Sequence, residues 1–300
     1  MNYNQILDQE KPWINKLCDE KNYDENIRHL LYVVIPAFTI KYGISREKLI
    51  LNTFQNVILQ KSTEKEKYIR AYYVSTPIEK EKEYQTKKYI VIQNYQDIQL
   101  VDLLDNLVHE YNHAINSYMN EIKTTKNYIY LRTGLTCRIF QKSDLKFVRK
   151  QNSYILEEII NTKQTSDIIN IIKSIKSEDR DIQNTIYAIN SETESTYLSD
   201  SYYLQSYICK EILNNRTFIT TLEKLRITGE VYDIEKWFDD ITGEEKSYRL
   251  LNQLLEEVYR LEEKYTNQKL GRGFTLRKIR TTSQKILRIV KQFDNNVNFR

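Results

Sequence analysis

The chain is short of the residues that break or staple a fold. Six glycines and three prolines in 300 residues leave few breakers. With many long side chains, that scarcity favours helix, with some strand where Tyr, Ile and Val cluster. Three cysteines, Cys18, Cys137 and Cys209, are odd in number and widely spaced. They form neither a disulfide framework nor a CxxC metal pair and read as reduced thiols of a cytoplasmic protein. No stretch reaches the ~18 apolar residues of a membrane span. The longest apolar run, Leu30 to Ile40, contains a proline and reads as a buried helix. The opening MNYNQILDQEKPW lacks the basic-then-apolar layout of a signal peptide. A net charge of +4 is too small to imply nucleic acid by itself.

What is present points to α+β. The first 25 residues are charged and irregular, with at most a short helix around Trp13 to Leu17. Apolar positions at Ile27, Leu30, Leu31, Val34 and Ala37 predict a helix over 26–42, with Gly43 as its C-cap. Ser45 opens a short helix, SREKLILNTF. Three strand-like runs follow, NVILQ from Asn56, YIRAYYVS from Tyr68 and KYIVIQ from Lys88. The charged stretch from Pro77 to Lys87 reads as an exposed loop. Residues 98–120 form the strongest helix of the first half, and NYIYLRTGLTCRIFQ reads as two strands joined near Arg132 to Gly134. Beyond Tyr154 nearly everything is helical: 153–163, 166–176, 194–214, 217–226, 231–240, 244–265 and 275–293. The expected division is an N-terminal α+β part, 1–150, and a helical part, 151–300.

Two of the three histidines fall in Leu107-Val108-His109-Glu110-Tyr111-Asn112-His113-Ala114. On a helix, residues four apart share a face one turn apart, so both imidazoles can reach one ion. Zinc accepts neutral imidazole nitrogen at about 2.0–2.1 Å. Glu110 stands where a carboxylate can take a proton from water and later deliver it to a leaving amine. Tyr111 and Asn112 are expected to point away from the metal, for packing or capping.

A catalytic zinc commonly takes three protein ligands. His29 lies far upstream, no histidine follows His113, and Met119 excludes HExxHxxGxxH. The third ligand is then a carboxylate. Glu157 and Glu158 in SYILEEIINTKQTSDII lie on a helix after the hairpin, where a second helix has to approach the first. Glu121 and Glu178 remain open. Away from the motif, the expected setting for an EE pair is a solvated first helical turn.

HExxH followed by Glu on a second helix resembles the gluzincin branch of zinc metallopeptidases. HEYNHAINS and the stretch from RTGL to EEII also resemble uncharacterised bacterial HExxH proteins, over roughly residues 25–225. The resemblance implies a zincin-like fold: a small sheet, an active-site helix and a mostly helical C-terminal half. It implies one Zn²⁺ per chain on His109, His113 and Glu158, with Glu110 as general base. Glu157 replaces the family's Asn, Ile159 its small residue and Thr162 its downstream Asp, and the gap from His113 exceeds that of thermolysin-like members. Related enzymes often add a Tyr or His that steadies the oxyanion. In SDSYYLQSYICKEIL the resemblance favours Tyr202, then Tyr203, with Tyr207 on the same predicted helix. It also implies that YIRAYYVS or YIVIQ is an edge strand on which substrate backbone pairs.

The expected activity is zinc-dependent peptide-bond hydrolysis on a peptide or protein substrate, with neither nucleic acid nor a membrane span involved. The alternatives are a catalytically inactive zincin-like binding protein and a regulatory protein acting through its basic C-terminal helix. From Thr266 to Arg300 that segment carries nine Lys or Arg and one Asp. Its stripe of Leu276, Ile279, Ile286, Val290 and Phe293 favours a packed helix with a basic outer face over a membrane or nucleic-acid surface. Arg132 could bind a substrate carboxylate, but a structural role is favoured, and Gly134 is expected to supply positive φ.

Overall fold

The computed structural model describes residues 3–63, 71–151, 154–191, 212, 214–267 and 272–297. About 66% helix and two small sheets make the chain α+β. It forms two compact units, Met1–Tyr118 with Asn161–Ser195, and Met119–Ile160 with Thr196–Arg300. These units are interleaved in sequence, whereas the sequence reading divides the chain once, at 150. One crossing falls inside an unbroken helix, between Ile160 and Asn161.

The first unit begins with α1 (Tyr3–Lys21), where sequence reading expected mostly irregular chain. Its buried stripe is Tyr3, Ile6, Leu7, Glu10, Ile14, Leu17 and Cys18, which is helical spacing interrupted by one acid. Pro12 adds a second interruption. α2 (Glu25–Tyr42) is buried continuously from Leu30 to Thr39, as befits a helix apolar all round. Asp24 caps its start by accepting from the Ile27 N–H at 3.0 Å. Gly43, at φ +87°, ends it as expected. A 3-10 turn, Ile44–Arg46, leads into α3 (Glu47–Asn56). Among the described residues no single helix is long and apolar enough to cross a membrane. The one apolar pair, Glu25–Tyr42 with Ile44–Asn56, is bent by 112°.

Glu10 explains the gap in the α1 stripe. It is 1% exposed and accepts from Thr39 Oγ1 at 2.8 Å, while its Oε2 has no hydrogen-bond partner among the described residues. Burial, opposed in part by the Thr39 bond and helped by Glu47, pushes its carboxyl up to about 7. An acid whose folded pKa is raised contributes stability below its unfolded pKa, and that contribution is lost as pH rises through the folded value. The first unit is therefore expected to lose up to about 3 kcal/mol between pH 5 and pH 8.5 through this group. Glu10→Gln should flatten the dependence. Urea midpoints at the two pH values check it; equal slopes in wild type and variant would refute it.

The sheet of this unit is ordered β1 (Val57–Lys61), β3 (Glu83–Ile92), β2 (Ala71–Lys80). β1 is parallel to β3 from Val57↔Lys88, and β2 is antiparallel to β3 from Ala71↔Ile92. The expected loop over 77–87 is instead a continuous hairpin. Its two-residue turn is Glu81-Lys82, at φ 53° and 69°. Primed turns need positive φ at both central residues and commonly use Asn or Gly there, so Glu and Lys concealed it. Opposite charges face each other across the hairpin end at Lys80↔Glu83. Pro77 is tolerated because β2 lies at an edge. Residues 68–70 of the expected second strand lie outside the described residues. After a 3-10 turn, Tyr95–Asp97, comes α4 (Leu100–Ser117), matching the expected central helix.

The second unit opens with an antiparallel sheet in the order β4 (Ile122–Thr124), β5 (Tyr128–Thr133), β6 (Thr136–Gln141), β7 (Phe147–Gln151). The expected hairpin is β5–β6, turning through Gly134 at φ +55°; β4 and β7 extend it. α5 (Tyr154–Lys173) is one helix where two, 153–163 and 166–176, were expected. Gln164 and Thr165 resemble a break in sequence, yet both are buried in an uninterrupted helix. α6 (Arg180–Ser191), in the first unit, was not foreseen. The predicted helix 194–214 lies almost wholly outside the described residues.

The remaining helices, α7 (Arg216–Thr228), α8 (Ile234–Thr242), α9 (Ser247–Asn267) and α10 (Arg272–Val297), match expectation. Phe218, Phe238 and Phe293 meet at their centre, with Phe238 and Phe293 stacked at 4.8 Å and Phe218 edge-on to both. α10 buries Ile279, Ile286, Val290 and Phe293 and turns Arg277, Arg280, Lys285, Arg288 and Lys291 outward. That is the packed helix with a basic outer face.

Candidate metal centre

α4 presents its motif from a well-buried helix, with Leu104, Leu107, Val108 and Tyr111 in the core. At about 100° per residue, His113 lies ~40° around the axis from His109 and Glu110 lies ~60° beyond His113. The two rings are 5.0 Å apart between centroids at an interplanar angle of 79°. His113 is buried and His109 half-buried, while Glu110 is 7% exposed. Ser117 Oγ donates to the His113 carbonyl at 2.5 Å.

Glu158 is carried by α5. Ligand atoms of His109, His113 and Glu158 all lie within 4.8 Å of one another. Among the described residues this is the one group of three or more His, Cys, Asp or Glu that could hold a metal ion. Glu121 and Glu178 do not join it. His29 does not either; it sits on α2 with Nε2 3.6 Å from Glu25. Two imidazoles and one carboxylate match the donor set of a catalytic zinc. Tetrahedral ligands at ~2.0–2.2 Å from an ion stand ~3.3–3.6 Å apart.

The paired glutamates do opposite things. Consecutive helical residues point ~100° apart. Glu158 faces the histidines, whereas Glu157 turns into the second unit and is 1% exposed. There Arg226 donates to it through Nε at 2.9 Å and Nη2 at 2.5 Å, and the Leu135 N–H donates at 2.7 Å. A Cβ on Gly134 would fall 2.1 Å from the Glu157 carboxylate, so the turn is shaped around it. Both oxygens of Glu157 are thus engaged, and it is Glu158 that joins the candidate group with His109 and His113. The solvated-pair expectation is corrected for Glu157, because it has a buried cationic partner.

Arg132 is fully buried and bonds backbone: Nε to the Met119 carbonyl at 3.1 Å, and Nη1 to the Gly134 and Arg226 carbonyls, each at 2.8 Å. Burial draws its guanidinium down to about 10, still charged at neutral pH. It is structural, as favoured, and Gly134 supplies the expected positive φ. Tyr111 packs, stacking on Phe54 at 3.9 Å. Tyr202, Tyr203 and Tyr207 lie outside the described residues.

Asn112 has the expected packing role and is not part of the candidate metal group. It stands ~60° from His109 on the helical wheel, on the side away from Glu110, and joins a buried amide ladder. Its Nδ2 donates to Asn161 Oδ1 at 2.8 Å. Tyr42 Oη donates to Asn112 Oδ1 and accepts from Asn116 Nδ2 at 2.8 Å. Asn161 Nδ2 donates to the His109 carbonyl at 3.0 Å, and Gln164 Oε1 lies 3.1 Å from Tyr42 Oη. All four amides are 2% exposed or less. The ladder pins α4 to the part of α5 from Asn161 onward, and Glu158 is one turn earlier on that same unbroken helix. The available signal was four amides at helical spacing within apolar stripes, Asn112 with Asn116 and Asn161 with Gln164.

No protein-family model matches this chain, and comparison with curated proteins and with solved structures finds no match.

Proposed function

We propose that the chain is a zinc-dependent peptidase of zincin-like, gluzincin type, with His109, His113 and Glu158 holding one zinc ion and Glu110 as general base. The observation that carries this is the convergence of three ligating side chains from two helices, with Glu110 next to His109 on one of them. A zinc ion there supplies Lewis acidity toward water and the scissile carbonyl. Glu110 accepts a proton from the attacking water and passes it to the departing amine nitrogen. His109 and His113 serve as neutral imidazoles, each offering one ring nitrogen and leaving the other for an orienting hydrogen bond. Asn161 helps hold the α4 backbone at His109.

Elemental analysis tests the centre. Wild type is expected to hold one zinc per chain, and His113→Ala and Glu158→Ala to lose most of it. Zinc lost only in His113→Ala would remove Glu158 from the site. A wild type without metal after incubation with zinc would overturn the proposal.

A further inference from the structure

Glu157 lies within one residue of a proposed ligand, yet it is built into something else. Its carboxylate is gripped on one side by the buried Arg226 and on another by the Leu135 N–H. Gly134 leaves room for it where any Cβ would collide. The same turn is held from behind by Arg132, which bonds the Gly134 and Arg226 carbonyls at once. Three elements separated in sequence, the β5–β6 turn, the first turn of α5 and the end of α7, therefore meet on one carboxylate.

A buried ion pair is costly to desolvate, and apolar residues of like volume commonly serve stability as well or better. Fold stability alone gives little reason for charge at this point. What a bidentate guanidinium–carboxylate pair supplies is direction. Fixing Glu157 fixes the rotation of the first turn of α5 about its axis. The neighbouring residue is then aimed ~100° away, which is where Glu158 meets His109 and His113.

We infer that the Glu157–Arg226 pair, seated in the Arg132–Leu135 turn, is a positioning device for the third metal ligand. Glu157 and Arg226 are positioning residues that act on the metal through Glu158. This rests on the metal-site reading above. It also gives RTGL and EEII a shared purpose, since the turn receives the first glutamate so that the second can ligate. Outer partners of metal ligands are worth roughly 10–100-fold in metal affinity.

The test is zinc affinity, measured on the full chain by competition with a chromophoric chelator. The variants are Glu157→Gln with Arg226→Met, Arg226→Lys alone, and His113→Ala. The double variant removes both charges and keeps an oxygen for the Leu135 N–H. It is expected to bind zinc roughly 10–100-fold more weakly while its zinc-free melting temperature stays near wild type. Its Co²⁺-substituted form should show an altered visible spectrum. Wild-type affinity and spectrum in the folded double variant, with binding abolished in His113→Ala, would overturn the positioning role and leave the metal site standing. Absence of zinc binding in wild type would overturn both. Where the double variant does not fold, Arg226→Lys decides by the same readouts, because it keeps the buried charge balanced and removes the bidentate fork.

Discussion

Glu110→Gln is expected to keep one zinc per chain and to lower peptide hydrolysis by about 10²–10⁴-fold. Glutamine has the shape of glutamate, so the buried position, 7% exposed, stays filled and α4 stays intact. The change removes the charge and the ability to accept a proton while keeping the side chain's shape. Glu110 is not among the three converging ligands, so metal should remain while turnover collapses. kcat/KM on a mixed fluorogenic peptide library, beside zinc content on the same preparation, reads both effects. Turnover at the wild-type rate would refute the base role. Loss of zinc along with activity would make Glu110 a ligand and dissolve the division of labour along the helix. Stoichiometric zinc with no cleavage by wild type, on the same library, would favour an inactive metal-binding protein.

The part of the site that was legible in sequence is the part that is local. His109, Glu110 and His113 sit within five residues, and a helix period is enough to put the imidazoles on one face. Glu158 was reachable because a hairpin followed by a helix brings a second carboxylate-bearing face back to the first. The choice between Glu157 and Glu158 had no local signature. What distinguishes them in the structure is Arg226, 69 residues downstream of Glu157, and the Leu135 N–H, 22 residues upstream, both of which donate to Glu157. The amide ladder was half visible, since Asn112 with Asn116 and Asn161 with Gln164 sit at helical spacing in apolar stripes, but which amide meets which shows only once the helices are paired. Among the elements, α1 was obscured by Glu10 in its apolar stripe and by Pro12. The β2–β3 turn was obscured by positive φ at two residues with no special tolerance for it. α2, α4 and α7 to α10 were read close to their observed bounds, because in each of them many apolar positions recur at helical spacing.

Arg226→Met alone is expected to destabilise the second unit by about 3–5 kcal/mol, a large fraction of the ~5–15 kcal/mol by which a domain is ordinarily stable. The cause is the carboxylate left behind. Glu157, 1% exposed, would lose its bidentate partner and keep the Leu135 N–H. Arg132 is near enough to feel the Glu157 charge. Its own donors, however, are committed to the Met119, Gly134 and Arg226 carbonyls, so taking over would dismantle the turn. Adding Glu157→Gln should restore most of the loss, because it removes the stranded charge and leaves an amide that still accepts from Leu135. Urea denaturation of wild type, the single variant and the double variant, with zinc removed by chelator, separates the terms. A single variant as stable as wild type would mean that the pair contributes nothing that water or Arg132 cannot replace. If the double variant regains stability but not zinc affinity, the charges at Glu157 and Arg226 serve to aim Glu158 and do little to hold the fold together.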